Sequence, residues 1–170
     1  SSRTFNLSTS KTSYIIKVLD SKHIAHIYWG KKIKAKNLDY VLRSRNWGSF
    51  LTNTDNVDNF MLEAIPQEYP GYGSTDLRSP SIELQFADGT TATDFRYDSH
   101  NIYLGKNKLN GLPSTYVEDE KEATTLELIL VDSLKNVKLI LSYSVFEEFD
   151  AITRSVKIIN ESNEEVKITR

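Results

Sequence analysis

The strongest constraint on the fold is an alternation of side chains over residues 137–145. The odd positions of this segment carry Val, Leu, Leu, Tyr and Val, whereas Lys, Ser and Ser occupy three of the four even positions. Successive side chains of a β-strand point to opposite faces, so a period of two places all five odd residues on one face. The segment is therefore predicted to be a strand with one buried face, on which Leu141 lies toward the core and Lys138 toward solvent.

Further short segments rich in β-branched and aromatic residues are separated by turn-forming residues, as in a sheet built from hairpins. Strands are predicted at residues 13–18, 23–29, 82–86, 91–97, 125–131, 137–146, 151–159 and 166–169. We expect segment 82–86 to pair with 91–97 across Asp88 and Gly89, since Asp-Gly favours a tight hairpin turn. Similar hairpins are expected between 13–18 and 23–29, between 125–131 and 137–146, and between 151–159 and 166–169.

The size of the chain and the shortage of helical patterns define the fold class. No window of about a dozen residues carries the apolar stripe that an amphipathic helix needs. The chain has 170 residues, which is the size of one ordinary domain. Residues 1–170 are therefore predicted to form a single all-β domain, a large antiparallel β-sandwich of the supersandwich type with little helix.

Composition excludes several classes of function. The chain contains no cysteine, which rules out disulfide scaffolds, cysteine-ligated zinc and cysteine nucleophiles. Lys and Arg total 21 against 23 Asp and Glu, and the two signs are interspersed, so we expect no nucleic-acid partner. No apolar run approaches the roughly 18 residues that span a bilayer, so we expect no membrane partner.

The sequence lacks the short patterns that mark common catalytic and cofactor sites. It has no Walker A loop, no dinucleotide-binding glycine pattern, no Gly-x-Ser-x-Gly elbow and no His-Glu-x-x-His. His23 and His26 are three residues apart, a spacing that sends side chains of a regular strand to opposite faces. We therefore expect neither a metal nor a cofactor. The acidic runs at 118–120 and 147–150 are expected to lie on a solvated surface.

Two long segments, residues 31–63 and 66–80, are predicted to be loops, and long loops in compact domains are usually functional. In the second, aromatic and charged residues that can stack on a sugar ring and bind its hydroxyl groups lie close together. They are Tyr69, Tyr72, Asp76 and Arg78. A structural role also fits, with tyrosines over a sheet edge and Asp76 paired with Arg78. Trp47 in the first loop suits either packing or an interface.

Several motifs follow one another in a fixed order along the chain. They are AHIYWGK at residues 25–31, PQEYP at 66–70, DLR at 76–78, TDFRY at 93–97, GLPSTYVE at 111–118, YSVFE at 143–147 and ITRS at 152–155. In this order they resemble the N-terminal region of bacterial α-galactosidases of glycoside hydrolase family 36. The resemblance extends over essentially the whole chain.

This resemblance implies that the chain is the β-sandwich that precedes a catalytic (β/α)8 barrel. In the family, two aspartates of the barrel, a nucleophile and an acid/base, hydrolyse terminal α-galactosides such as melibiose and raffinose with retention of configuration. A barrel takes about 250 residues, which is more than this chain has. The resemblance therefore implies a domain that is not itself an enzyme, without catalytic residues, and a parent protein that is a retaining α-galactosidase.

The resemblance also implies partners. These are the catalytic barrel of the same parent chain, the other subunits of a homo-oligomer, with a tetramer expected, and the galactoside substrate of the assembled enzyme. In some family members a loop of this domain reaches an adjoining subunit's active site, and it corresponds here to residues 43–50, with Arg45, Asn46 and Trp47 as candidates for substrate or subunit contacts. A bacterial cytoplasmic location is expected. The alternative function is an autonomous carbohydrate-binding module.

Overall fold

A computed structural model describes residues 3–34, 37–42, 62–73 and 78–170. Within these ranges the chain forms nine β-strands and three single-turn 3₁₀ helices. The strands are β1 (Arg3–Ser8), β2 (Thr12–Val18), β3 (Ile24–Lys31), β4 (Leu84–Phe86), β5 (Arg96–Leu104), β6 (Thr124–Asp132), β7 (Val137–Phe146), β8 (Ala151–Asn160) and β9 (Val166–Ile168). The 3₁₀ helices are Asp39–Val41, Leu62–Ala64 and Glu120–Glu122. The predicted all-β fold with little helix is confirmed.

The strands form three antiparallel sheets. One has the order β1-β2-β3, a second has the order β5-β6-β7-β8, and the third is the pair β4-β9. The expected hairpins β2-β3 and β6-β7 are confirmed, and in the latter Leu128 lies opposite Leu141. The two larger sheets pack face to face, because the main apolar cluster takes its members from both of them.

The core between the sheets accounts for the alternation of β7. All five odd residues of 137–145 are buried, and Leu141 is 1% exposed, as the period of two predicts. Ser144 on the opposite face is also buried, and its hydroxyl is hydrogen-bonded to that of Thr125 at 2.8 Å, which offsets the cost of removing both hydroxyl groups from water.

A second, smaller apolar cluster covers the outer face of the three-stranded sheet. Ile15, Ala25 and Ile27 are its buried members, and partly buried residues pack against them. These covering residues include Ile33, Leu38, Leu42 and Ile65. The segments before and after residues 43–61 are thus held against the same sheet face.

Two of the predicted hairpins are wrong, because β4 pairs with β9 and neither strand pairs with the segment nearest to it in sequence. The Asp88-Gly89 turn does form, with the Gly89 N–H donating to the Phe86 carbonyl at 2.9 Å. Beyond it, two backbone N–H groups have acceptors outside β4: Thr93 donates to the Tyr72 carbonyl and Asp94 to the Asp132 carboxylate, both at 2.9 Å. The strand predicted at 91–97 therefore starts only at β5.

Two further differences concern strands and loops. The short strand β1 was not predicted, and β5 continues well beyond the predicted end at residue 97. The segment 66–80 is not wholly a loop, because Gln67 bridges to Ala25 and Gly71 bridges to Ile82. In the part of the chain that the structure describes, we find no helix long and apolar enough to cross a membrane.

Candidate functional site

The residues that the sequence analysis proposed for sugar or subunit contacts divide into two groups. Arg45, Asn46, Trp47 and Asp76 lie outside the described residues. The other three are placed as follows.

Tyr69 is partly buried and packs against the main core, whereas Tyr72 is 46% exposed. The guanidinium of Arg78 donates to the backbone carbonyls of Leu62 and Ile65, at 3.1 and 2.6 Å. Arg78 therefore clamps the 3₁₀ turn that follows residues 43–61.

A buried glutamate between the two large sheets is the most distinctive polar feature of the described structure. Residues 66–68 extend the three-stranded sheet at β3: the His26 N–H donates to the Pro66 carbonyl at 2.7 Å, and the Glu68 N–H donates to the Ile24 carbonyl at 3.0 Å. This pairing directs the Glu68 side chain into the space between the sheets, where it is 1% exposed.

Side chains from four different strands bind this carboxylate. Oε1 accepts from the Tyr14 hydroxyl at 2.6 Å, from the Tyr143 hydroxyl at 2.8 Å and from the Arg154 guanidinium at 3.0 Å. Oε2 lies 3.1 Å from Nδ1 of His26. Because β2, β3, β7 and β8 each contribute one partner, the carboxylate joins the two sheets.

Electrostatics keep this carboxylate ionised. Burial raises the pKa of Glu68, but hydrogen bonds from His26, Tyr14 and Tyr143 together with the charge of Arg154 outweigh burial, and the net pKa lies below its ordinary value. Burial raises the pKa of the Tyr14 and Tyr143 phenols well above their usual range. At neutral pH the site is therefore a fixed carboxylate with neutral phenol donors.

One exposed aromatic residue lies near this cluster. The Trp29 indole, 73% exposed, lies 6.3 Å from the Tyr14 ring between centroids. The Arg154 side chain is 45% exposed and its guanidinium carbon lies 5.2 Å from the Tyr143 ring centroid. An exposed indole and a half-exposed guanidinium thus lie beside the two phenols that bind the buried carboxylate.

None of the five members of this cluster is a predicted site residue. Glu68 and Arg154 lie within motifs that carried the family resemblance, at 66–70 and 152–155. Neither residue stands out by its local pattern, because β8 also carries Thr, Ser, Lys and Asn beside Arg154, and Glu68 lies in a segment bounded by Pro66 and Pro70 that was predicted to be a loop. Their contact joins residues far apart in sequence, so spacing alone does not reveal it.

The two neighbouring histidines contact different carboxylates. His26 contacts Glu68, whereas the buried His23 lies before β3, with Nδ1 3.0 Å from the Ser21 hydroxyl and Nε2 3.4 Å from Asp94. Burial raises the pKa of Asp94, but hydrogen bonds from His23 and Arg96 outweigh burial and lower this pKa to about 2. Among the residues with described positions, no three His, Cys, Asp or Glu side chains are arranged to hold a metal ion.

Comparison with protein families and known proteins gives consistent matches. The family model of the glycosyl hydrolase family 36 N-terminal domain matches residues 22–170. Alpha-galactosidase AgaA of Geobacillus stearothermophilus is 42% identical over 171 residues, covering 98% of this chain and 23% of the relative. The bifunctional alpha-galactosidase/sucrose kinase AgaSK of Mediterraneibacter gnavus is 36% identical, covering 98% of this chain and 18% of the relative.

Solved structures show the same fold. The crystal structure of a variant of AgaA in complex with raffinose superposes with a TM-score of 0.92 at 41% identity, over 99% of this chain and 23% of that one. The α-galactosidase from Lactobacillus brevis superposes with a TM-score of 0.91 at 30% identity, over 98% of this chain and 23% of the other. The chain thus spans about a quarter, or less, of the length of the relatives it matches.

Proposed function

This chain belongs to the glycosyl hydrolase family 36 N-terminal domains, and from that premise we propose that it serves a longer retaining α-galactosidase without carrying the catalytic residues. The observation that carries the proposal is the extent of the matches, which cover 98% of this chain but 23% of AgaA. We propose terminal α-galactosides such as melibiose and raffinose as substrates of the longer enzyme. A cytoplasmic location stays a prediction.

The chemistry of the buried glutamate supports a non-catalytic role. A retaining glycosidase needs two carboxyl groups on either side of the glycosidic bond, one of them protonated so that it can donate to the leaving oxygen. Glu68 is ionised, and donors occupy both of its oxygens. Such a carboxylate neither donates a proton nor reaches a sugar, so it stabilises the sandwich.

We propose that the segment around residues 43–50 acts in assembly, and that Arg45, Asn46 and Trp47 contact substrate or protein in an adjoining subunit of a tetramer. The clamp formed by Arg78 supports this role, because it fixes the 3₁₀ turn that follows the segment. The second proposed partner is the catalytic barrel of the same parent chain. Sugar contacts by Tyr69, Tyr72, Asp76 and Arg78 stay a prediction.

A comparison of the isolated chain with the longer enzyme tests the assembly role. Trp47→Ala is expected to leave the melting temperature of the isolated chain nearly unchanged, and to raise KM or weaken the tetramer of the longer enzyme, because an interface indole is buried only on assembly. Phe149→Ala is the matched control, because it removes an aromatic side chain that is 71% exposed, and it should change neither KM nor the tetramer. If Trp47→Ala instead destabilises the isolated chain by more than about 2 kcal/mol, as core truncations do, the interface role is wrong.

The alternative of an autonomous carbohydrate-binding module is favoured by one observation, the 73% exposed indole of Trp29, whose ring lies 6.3 Å from the Tyr14 ring between centroids. Aromatic side chains of this kind stack on sugar rings. Titration of the isolated chain with raffinose, followed by tryptophan fluorescence, distinguishes the two functions. Saturable quenching that disappears in Trp29→Ala would support the module, whereas an assembly domain should show no change.

A further inference from the structure

The loop of residues 105–119, which follows β5, lies largely in solvent. Every residue from 110 to 116 is exposed. One contact that spans the loop is a single hydrogen bond at 2.9 Å, from the Lys106 ammonium to the Thr115 carbonyl. A segment with exposed backbone and few contacts opens easily, so its backbone groups are accessible to water.

An Asn-Gly pair occupies the centre of a turn in this loop. The Leu112 N–H closes the turn by donating to the Leu109 carbonyl at 3.5 Å, which is longer than an ordinary hydrogen bond. Gly111 has a φ of +74°, and a Cβ built on it would meet nothing within 4 Å beyond its chain neighbours. Within the described part of the chain, neither the Asn110 carboxamide nor the Gly111 N–H makes a hydrogen bond.

An unbonded Asn-Gly pair can undergo deamidation without a catalyst. The Gly111 nitrogen loses its proton to water and attacks Cγ of Asn110. A new N–C bond forms, the C–N bond of the carboxamide breaks, and the leaving group takes up a proton and departs as ammonia. Water then opens the resulting succinimide at one of its carbonyls, which gives aspartate or isoaspartate. Glycine favours the first step because it has no side chain to shield the attacking nitrogen.

We propose that Asn110 is the principal site of spontaneous deamidation in this chain. No other asparagine in the sequence is followed by glycine. The reaction adds a negative charge to a chain whose formal net charge is -2, and the isoaspartate product also lengthens the backbone between β5 and β6 by a methylene group. The inference goes beyond the proposed function and does not depend on it, because the reaction takes place within the loop itself.

The Asp-Gly pair at residues 88 and 89 could in principle form the same succinimide, but the structure protects it. The Gly89 N–H donates to the Phe86 carbonyl at 2.9 Å, so the attacking nitrogen is engaged. The Asp88 carboxylate accepts from the Thr90 hydroxyl at 2.6 Å and from the Lys135 ammonium at 2.9 Å. These hydrogen bonds hold the pKa of Asp88 below its ordinary value, and an ionised carboxylate has no leaving group.

Two other exposed asparagines differ from Asn110 in their hydrogen bonds. The Asn107 carboxamide, in the same loop, donates to the Tyr103 hydroxyl at 3.0 Å. The Asn160 carboxamide, at the end of β8, donates to the Glu164 carbonyl at 2.7 Å. Each is followed by a residue with a long side chain, lysine or glutamate, which shields the backbone nitrogen. Both are therefore expected to react more slowly than Asn110.

Incubation of the folded 170-residue chain at mildly alkaline pH, followed by peptide mapping with mass spectrometry, tests the proposal. Conversion to aspartate and isoaspartate is expected to be at least about tenfold faster at Asn110 than at Asn107 or Asn160. Asn110→Gln should remove most of the ammonia release, because the longer side chain closes a less favourable ring. Asn107→Gln is the matched control and should leave the ammonia release unchanged.

A synthetic peptide of residues 106–114 gives the rate without the fold. Because the turn makes few contacts, the rate at Asn110 in the folded chain is expected to lie within about tenfold of the peptide rate. A larger difference would mean that the fold protects Asn110, and it would overturn the proposal. Faster conversion at any other asparagine, or equal ammonia release from Asn110→Gln and the unaltered chain, would overturn it as well.

Discussion

At the scale of the residue, Glu68 illustrates how an ionised group can be accommodated in a protein interior. Removing a carboxylate from water is costly unless hydrogen bonds and an opposite charge offset the loss. Here two phenols, an imidazole and a guanidinium do so. Since these donors come from both sheets, the same contacts fix how the sheets lie relative to each other.

Replacement of this carboxylate should therefore be costly. Glu68→Gln is expected to lower the free energy of unfolding by about 3 kcal/mol. The change leaves the Arg154 charge without its partner and places the amide NH2 group of glutamine next to side chains that themselves donate hydrogen bonds. Glu63→Gln, an exposed change five residues away, is the control and should cost less than about 0.5 kcal/mol. Urea unfolding measures both, and equal losses would contradict the assigned role of Glu68.

The same residue predicts a pH dependence. The pKa of Glu68 is lowered in the folded protein from its ordinary value of 4.5, so ionisation stabilises the folded state. This contribution is fully present above the unfolded pKa and is lost as the pH falls through the lowered folded pKa. The stability difference between the unaltered chain and Glu68→Gln should be constant above about pH 6 and shrink below about pH 4. A difference that grows on acidification would reverse the sign and refute the prediction.

At the scale of the element, sequence patterns predicted the strands that are determined by their own residues or by an adjacent turn. The face of β7 follows from its own alternation, and the β2-β3 hairpin follows from a short turn between two apolar segments. The partner of β4 could not be predicted this way, since β9 lies far along the chain. The strand β1 was missed because only Phe5 and Leu7 alternate within it.

The β7 pattern yields a direct test of side-chain direction. Leu141→Ala is expected to lower the free energy of unfolding by about 2–5 kcal/mol, because it removes buried methyl groups and leaves a cavity. Lys138→Ala, three residues away, should cost less than about 1 kcal/mol, since its contact with Glu161 is a partly exposed ion pair. Thermal unfolding compares them, and similar shifts in the two variants would contradict the assigned face.

At the scale of the whole molecule, the family and the all-β fold could be predicted from ordered motifs and strand patterns. The buried cluster could not, because Glu68 meets Tyr143 and Arg154 only after both sheets have packed. Arg78 is a related case: its hydrogen bonds to the carbonyls of Leu62 and Ile65 could not be predicted from sequence, and its sugar contact stays a prediction. Sequence spacing reports neighbours along a strand, not contacts across a sandwich.

The isolated chain should not hydrolyse a chromogenic α-galactoside. The proposed function places both catalytic carboxylates in the part of the longer enzyme that this chain lacks. The assay compares the purified chain with the longer enzyme at equal molar concentration. Turnover that copurifies with this chain, and that disappears when one of its own acids is neutralised, would overturn the non-catalytic role.

The pairing of β4 with β9 also determines when the fold can be completed during synthesis on the ribosome. The strands β1, β2 and β3 have all been synthesised once Lys31 has emerged. Leu84 is fully buried in the folded chain, but its partner in the antiparallel register, Ile168, is synthesised much later. At roughly 5–20 residues per second of synthesis, the stretch from Leu84 to Ile168 takes about 4–17 s. During this time the apolar strand β4 lacks its partner strand, and such an unpaired edge is prone to aggregation.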